Sequence, residues 1–175
     1  MRLLKLMLVS ATLAAGVSPA LAGAASGVGV AAHSTYAFVV LANSATATNA
    51  GMMASPGDRI TVSGGGTFDV AARTVNAAGV FVHRSADGAI HCQGTWWATD
   101  FTSFVSFGAD PRGGPLGGVL SVVLGHHCTT MGMTMTGMPM TVTSTLRAPA
   151  GSVRGTTVGD FTQPLGGAVA IWPQP

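Results

Sequence analysis

The chain has 175 residues, eight of them Lys or Arg and six acidic, for a formal net charge of +2. Charged residues make up only 8 % of it and hydrophobic ones 47 %. That composition lacks the dense basic patch that marks a nucleic-acid binder, and all six acidic residues are Asp, so paired-carboxylate chemistry has few candidates.

The first stretch, MRLLKLMLVSATLAAGVSPALA, has the parts of a secretory signal peptide. Arg2 and Lys5 form a positive start, Leu6 to Val17 a short apolar core, and Ala20-Leu21-Ala22 a small-x-small cleavage site. Residues 1–22 are therefore expected to be removed on export, to a secreted or periplasmic location. The apolar core is too short for a stable span, and no later stretch has about 18 uninterrupted apolar residues, so no transmembrane segment is expected. The leader takes two basic residues with it, and the rest carries six Arg against six Asp. Near-zero charge favours association, which leaves an oligomer or a surface-bound state open. About 150 residues remain, enough for one domain with its own core.

Residues 23–35 are Gly/Ala/Val-rich without a period and read as a flexible lead-in to a single domain over 36–175. Tyr36 to Leu41 is the first expected strand, and Ala42 to Gly57 a loop ending in Pro56-Gly57. Asp58 to Thr67 is a strand interrupted by Gly64-Gly65-Gly66, a pattern of bulges or close backbone approach. A phosphate-loop reading fails, because no Gly-Lys-Ser/Thr ending and no helix follow.

Val75 to Arg84 and Ala89 to Asp100 form a hairpin around Ala86-Asp87-Gly88, with Gly88 suited to a left-handed position. This loop pairs His83 with His91 and Val82 with Cys92. It places Val80, Val82, Ile90, Cys92 and Trp96 on one face, and Phe81, His83, His91, Gln93, Thr95 and Trp97 on the other. A two- or four-residue loop pairs His83 with Cys92 instead; the first register separates apolar from polar better.

Phe101 to Phe107 continues this strand past a bend or starts a new one, and Ala109 to Gly118 is a loop by composition. Val119 to His127 is a strand. In CTTMGMTMTGMPMTVTSTL, Met alternates with Thr on each side of Thr136-Gly137, as in strands with one Met-lined and one Thr-lined face; Pro139 marks an edge. Val153 to Phe161 and Ala168 to Trp172 supply the last strands. The sum is an all-β protein of eight or nine short strands: a single antiparallel β-barrel, with a two-sheet sandwich as the alternative.

Cys92 and Cys128 are the two cysteines, and export makes a disulfide between them the natural expectation. His126, His127, Met131, Met133, Met135, Met138 and Met140 form the most suggestive constellation. Thioethers select Cu(I) and imidazole also suits copper, although methionine is also a common filler of irregular apolar space. His83 and His91 could chelate a metal together if they face each other. Trp96 and Phe104 are candidates to line a ligand cavity. Catalysis finds little support: Asp58, Asp87 and Asp110 lie in turn contexts, Asp69, Asp100 and Asp160 could point inward, and no Gly-x-Ser-x-Gly elbow occurs. The expected activity is binding rather than turnover, of a small apolar molecule or a cell-surface component, with copper binding as one alternative and a small β-barrel enzyme as another.

The segments Gly66 to Asp69 (GTFD), Gly94 to Thr99 (GTWWAT) and Ser103-Phe104 resemble those of a group of small exported bacterial proteins of unassigned function. The architecture is more distantly similar to dirigent and allene-oxide-cyclase-type barrels. The resemblance implies an all-β exported domain and carries no catalytic residue.

Overall fold

In a computed structural model, residues 34–109 and 114–175 are described; the expected signal peptide, nearly all of the lead-in, and Asp110 lie outside them. Eight strands follow in order: β1 (Thr35–Thr46), β2 (Arg59–Asp69), β3 (Thr74–Arg84), β4 (Ile90–Ala109), β5 (Leu116–Cys128), β6 (Met133–Ser144), β7 (Gly155–Val158) and β8 (Gln163–Pro173). No helix long and apolar enough to cross a membrane occurs among the described residues.

All pairings are antiparallel. Each strand from β1 to β6 pairs with the next, β8 pairs with β1, and β8 also meets β5 at Leu116↔Ile171, which closes the ring. The hydrogen bonds thus run in a closed ring within one eight-stranded sheet, barrel-like rather than a two-sheet sandwich. Closure removes the long unpaired edges on which sheets otherwise associate.

Several expected loops belong to strands. β1 runs on to Thr46 through a bulge at Ala42, where φ is 48° and the Ala42 N–H donates to Ser63 Oγ at 2.9 Å. β4 is one continuous strand from Ile90 to Ala109, with register shifts between Ala98 and Asp100, Phe101 and Ser103, and Ser106 and Gly108. Each extra residue bends the strand and exchanges its faces, so Trp96, Phe101 and Phe104 can all turn inward despite their uneven spacing. The glycine run of β2 has a packing cause. Gly64 lies opposite Gly79, and a methyl group on either would come within 2.7 Å of the Trp96 indole, whose Nε1–H donates to Ser63 O at 3.2 Å. The two glycines form the seat of a buried tryptophan.

The interior has two distinct ends. At one, Phe68 is the centre of an aromatic cluster, with ring centroids 5.2 Å from Tyr36, 6.2 Å from Phe38, 6.0 Å from Phe101 and 5.0 Å from Phe104. At the other, β2, β4 and β6 begin and β3 and β5 end, which brings together the 85–88 turn, the disulfide and the first methionines of β6.

The hairpin register needs a correction. Arg84 pairs with Ile90, as the three-residue loop requires, but His91 is then an extra residue, and His83 pairs with Cys92 and Val82 with Gln93. The bulge keeps Cys92 and Trp96 inside but inverts β3: Phe81 and His83 are buried, Val80 is exposed and Val82 lies half-buried. Segregation of apolar from polar residues misjudged this strand for two reasons. Phe81 has more apolar surface to bury than either valine, and His83 has a buried polar partner waiting for it.

Candidate functional site

That partner is Asp58. His83 Nε2 lies 3.1 Å from Asp58 Oδ2, while the Ser55 N–H donates to Oδ2 at 3.0 Å and the Ala86 N–H to Oδ1 at 3.1 Å. One carboxylate therefore ties the 47–58 loop to the hairpin turn and holds a histidine. Burial alone would push the Asp58 carboxyl up, but the Ser55 N–H, His83 and the Ala86 N–H together hold it below the ordinary carboxylate value. An ionised carboxylate only accepts hydrogen bonds, so Nε2 of His83 is the donor in this contact. Local composition does not mark this role, because Pro56-Gly57-Asp58 has the makeup of an ordinary turn.

A depressed native pKa stabilises the fold above the unfolded value of about 3.9, and that contribution disappears as the pH falls through the native value. Asp69, lowered chiefly by the Ala72 N–H, and Asp87, lowered chiefly by the Ser85 hydroxyl, act in the same direction. Asp58→Asn is accordingly expected to make the acid limb of stability shallower without abolishing it, and to destabilise the protein by about 2 kcal/mol near neutral pH, the typical cost of losing hydrogen bonds to a charged acceptor. Urea unfolding followed from about pH 6 down to pH 2 checks both effects.

Above this pair lies a cavity of about 260 Å³, with Trp96, Phe81, Leu124 and Phe161 among its apolar walls. Cys92 and Cys128, joined as the expected disulfide, form another part of the wall. His83, His91 and His126 line it, as do Met52, Met53, Met131, Met133, Met135 and Met138. The chain has nine methionines, seven of them past residue 33, and six of those seven meet here. A second cavity of about 250 Å³ adjoins it, with Asp160, Thr136 and Pro139 in its wall. The residues common to both are Met52, Met53, His126, Met135 and Met138: one imidazole and four thioethers.

Strand alternation explains the arrangement. On β5, Leu120, Val122, Leu124, His126 and Cys128 all point inward. His126 is therefore buried, while His127 turns to the other face and meets Thr134 Oγ1 at 2.9 Å through Nδ1. On β6, Met133 and Met135 are odd-numbered and Met138 and Met140 even-numbered. Leu124 pairs with Met138 but Gly125 with Thr136, so Gly137, at φ 86°, is the extra residue that brings both sets onto one face. Pro139 lies just beyond the last β6 residue paired with β7, where no ladder donor is needed.

Several expected site residues are redistributed. His127 is outside the cavity, and Met140, 1 % exposed, fills the core without lining it. Trp96 lines the cavity, but Phe104 belongs to the aromatic cluster at the opposite end. His83 and His91 have ring centroids 4.9 Å apart although they are not a cross-strand pair. Among the described residues no group of three or more His, Cys, Asp or Glu could hold a metal; thioethers are not among those donors. Asp69 binds Ser34, Thr35 and the Ala72 N–H, Asp100 is exposed, and Asp160 accepts from the Met53 N–H at 2.8 Å.

Burial pushes the His126 imidazole down, towards its neutral form, and its Nδ1 is buried without a hydrogen-bond partner. The Asp160–Met53 bond latches the Met52–Met53 loop beside the cavity. Among the described residues, no Lys or Arg lines either cavity.

No protein-family model, curated protein or solved structure matches this chain.

Proposed function

We propose that the protein is an exported, non-catalytic binding protein whose ligand occupies the cavity between the hairpin turn and the Met-lined strand. The observation that carries this reading is the cavity itself, about 260 Å³ of mainly apolar space containing few but well-placed polar groups, the usual composition of a small-ligand site. Export is supported by the leader and by a disulfide of the kind that persists in oxidising compartments. The aspartates argue for binding over turnover. Asp58 is committed to His83 and two backbone amides, Asp69 and Asp87 to turns, and Asp160 to the loop latch.

An uncharged apolar fluorophore, N-phenyl-1-naphthylamine, tests the reading. It is expected to bind one per chain with a blue-shifted emission. Val158→Phe, which adds bulk at the cavity wall and leaves the methionines and histidines intact, should weaken this at least tenfold. Equal binding by the variant, or no binding by the native protein, would remove the cavity from consideration.

A further inference from the structure

We infer that the ligand class of this cavity is a soft monovalent metal ion, Cu(I), held by His126 Nδ1 and the thioethers of Met135 and Met138, with Met53 closing the site from the loop. This rests on the reading of the cavity as the binding site and specifies what enters it.

Three independent observations converge. His126 presents a buried nitrogen with no partner, and a buried acceptor is costly unless something binds it. Its cross-strand neighbour on β6 is Met135, and directly opposed residues bring their side chains within reach of one another. The set common to both cavities holds a single imidazole and otherwise only thioethers. Thioether sulfur prefers Cu(I) over Zn, Ca or Mg, while neutral imidazole completes a soft donor set.

Core filling accounts for Met140, which is enclosed, and not for Met131 and Met133, each 49 % exposed at the rim, or Met52, 93 % exposed on the loop. Exposed apolar side chains also occur elsewhere, Leu41 and Val153 among them; what sets these methionines apart is that they line the same cavity as His126. A rim of thioethers around a buried imidazole suits an ion that must be captured and passed inward. The Asp160 carboxylate and the lack of any lining Lys or Arg leave this region favourable to a cation. Cys92 and Cys128 are joined to each other and are not ligands, so the site does not depend on keeping thiols reduced outside the cell.

The test uses the mature protein under anaerobic conditions, with Cu(I) delivered against the chromophoric competitor bathocuproine disulfonate and with Ag(I) as a redox-inert check. The native protein is expected to retain one Cu(I) per chain. Methyl-labelled methionine NMR should shift the Met135 and Met138 signals on Ag(I) addition and leave Met140 in place. Met135→Leu with Met138→Leu, swaps of similar volume that cores tolerate, should lower the Cu(I) affinity at least 100-fold, and so should His126→Phe. Met140→Leu and His127→Ala should leave it within threefold. The inference is overturned if the Leu double variant binds Cu(I) as the native protein does, or if the native protein yields all its Cu(I) to the competitor. N-phenyl-1-naphthylamine separates the two levels. Retained fluorophore binding with no Cu(I) uptake removes the metal and leaves the cavity reading standing; loss of both removes both.

Discussion

Replacing Cys92 and Cys128 together by alanine is expected to lower the unfolding free energy by about 4 kcal/mol and the melting temperature by on the order of 12 °C. The estimate follows from their separation of 36 residues, since a cross-link removes closure entropy from the unfolded chain in proportion to the logarithm of the loop it closes. The folded state has little to lose locally. β4 and β5 are already paired there, with Gly94 opposite Cys128, so the ring should survive and only its margin of stability should fall. Calorimetry of the native and double-Ala proteins measures the difference. A dithiol reductant added to the native protein should bring its unfolding midpoint close to that of the variant. A loss below about 1 kcal/mol would show that the unfolded chain is already constrained in this region.

Phe68→Ala should cost about 4 kcal/mol on its own, within the range for removing a buried aromatic ring. Phe68 is 1 % exposed and touches four other rings, so the void cannot be closed by one neighbour moving in. Phe68→Leu, which keeps most of the apolar volume, should cost about 1.5 kcal/mol. Because the Phe68 ring lies at the end of the strand ring away from the disulfide, the Phe68→Ala and double-Ala losses should add to within about 0.5 kcal/mol. Fluorophore binding by Phe68→Ala at native affinity, measured well below its melting temperature, would show that the two ends act independently.

Much of the fold could be read from β-branched and aromatic runs separated by glycine, and the Met/Thr alternation identified strands with one thioether face but not which way that face points. The expected copper constellation groups His126 with His127, although alternation along β5 counted from Leu120 puts them on opposite faces. What could not be read were the bulges. An extra residue at His91 inverted the faces of β3, and another at Gly137 merged two methionine sets that the spacing alone puts out of phase. Bulges depend on which backbone partners compete for each hydrogen bond across the sheet, and local composition does not record that. The Asp58–His83 pair was hidden for a related reason. Its members are 25 residues apart, and nothing in either segment points to the other. The Met52–Met53 loop could be placed beside the β6 methionines only once Asp160 was seen to hold it there.

The aromatic cluster around Phe68 has a consequence for traffic through the molecule. Interlocked rings fill that end of the strand ring. Under the binding reading proposed above, a ligand would therefore enter and leave at the methionine-bearing end, where Asp160 holds the Met53 loop.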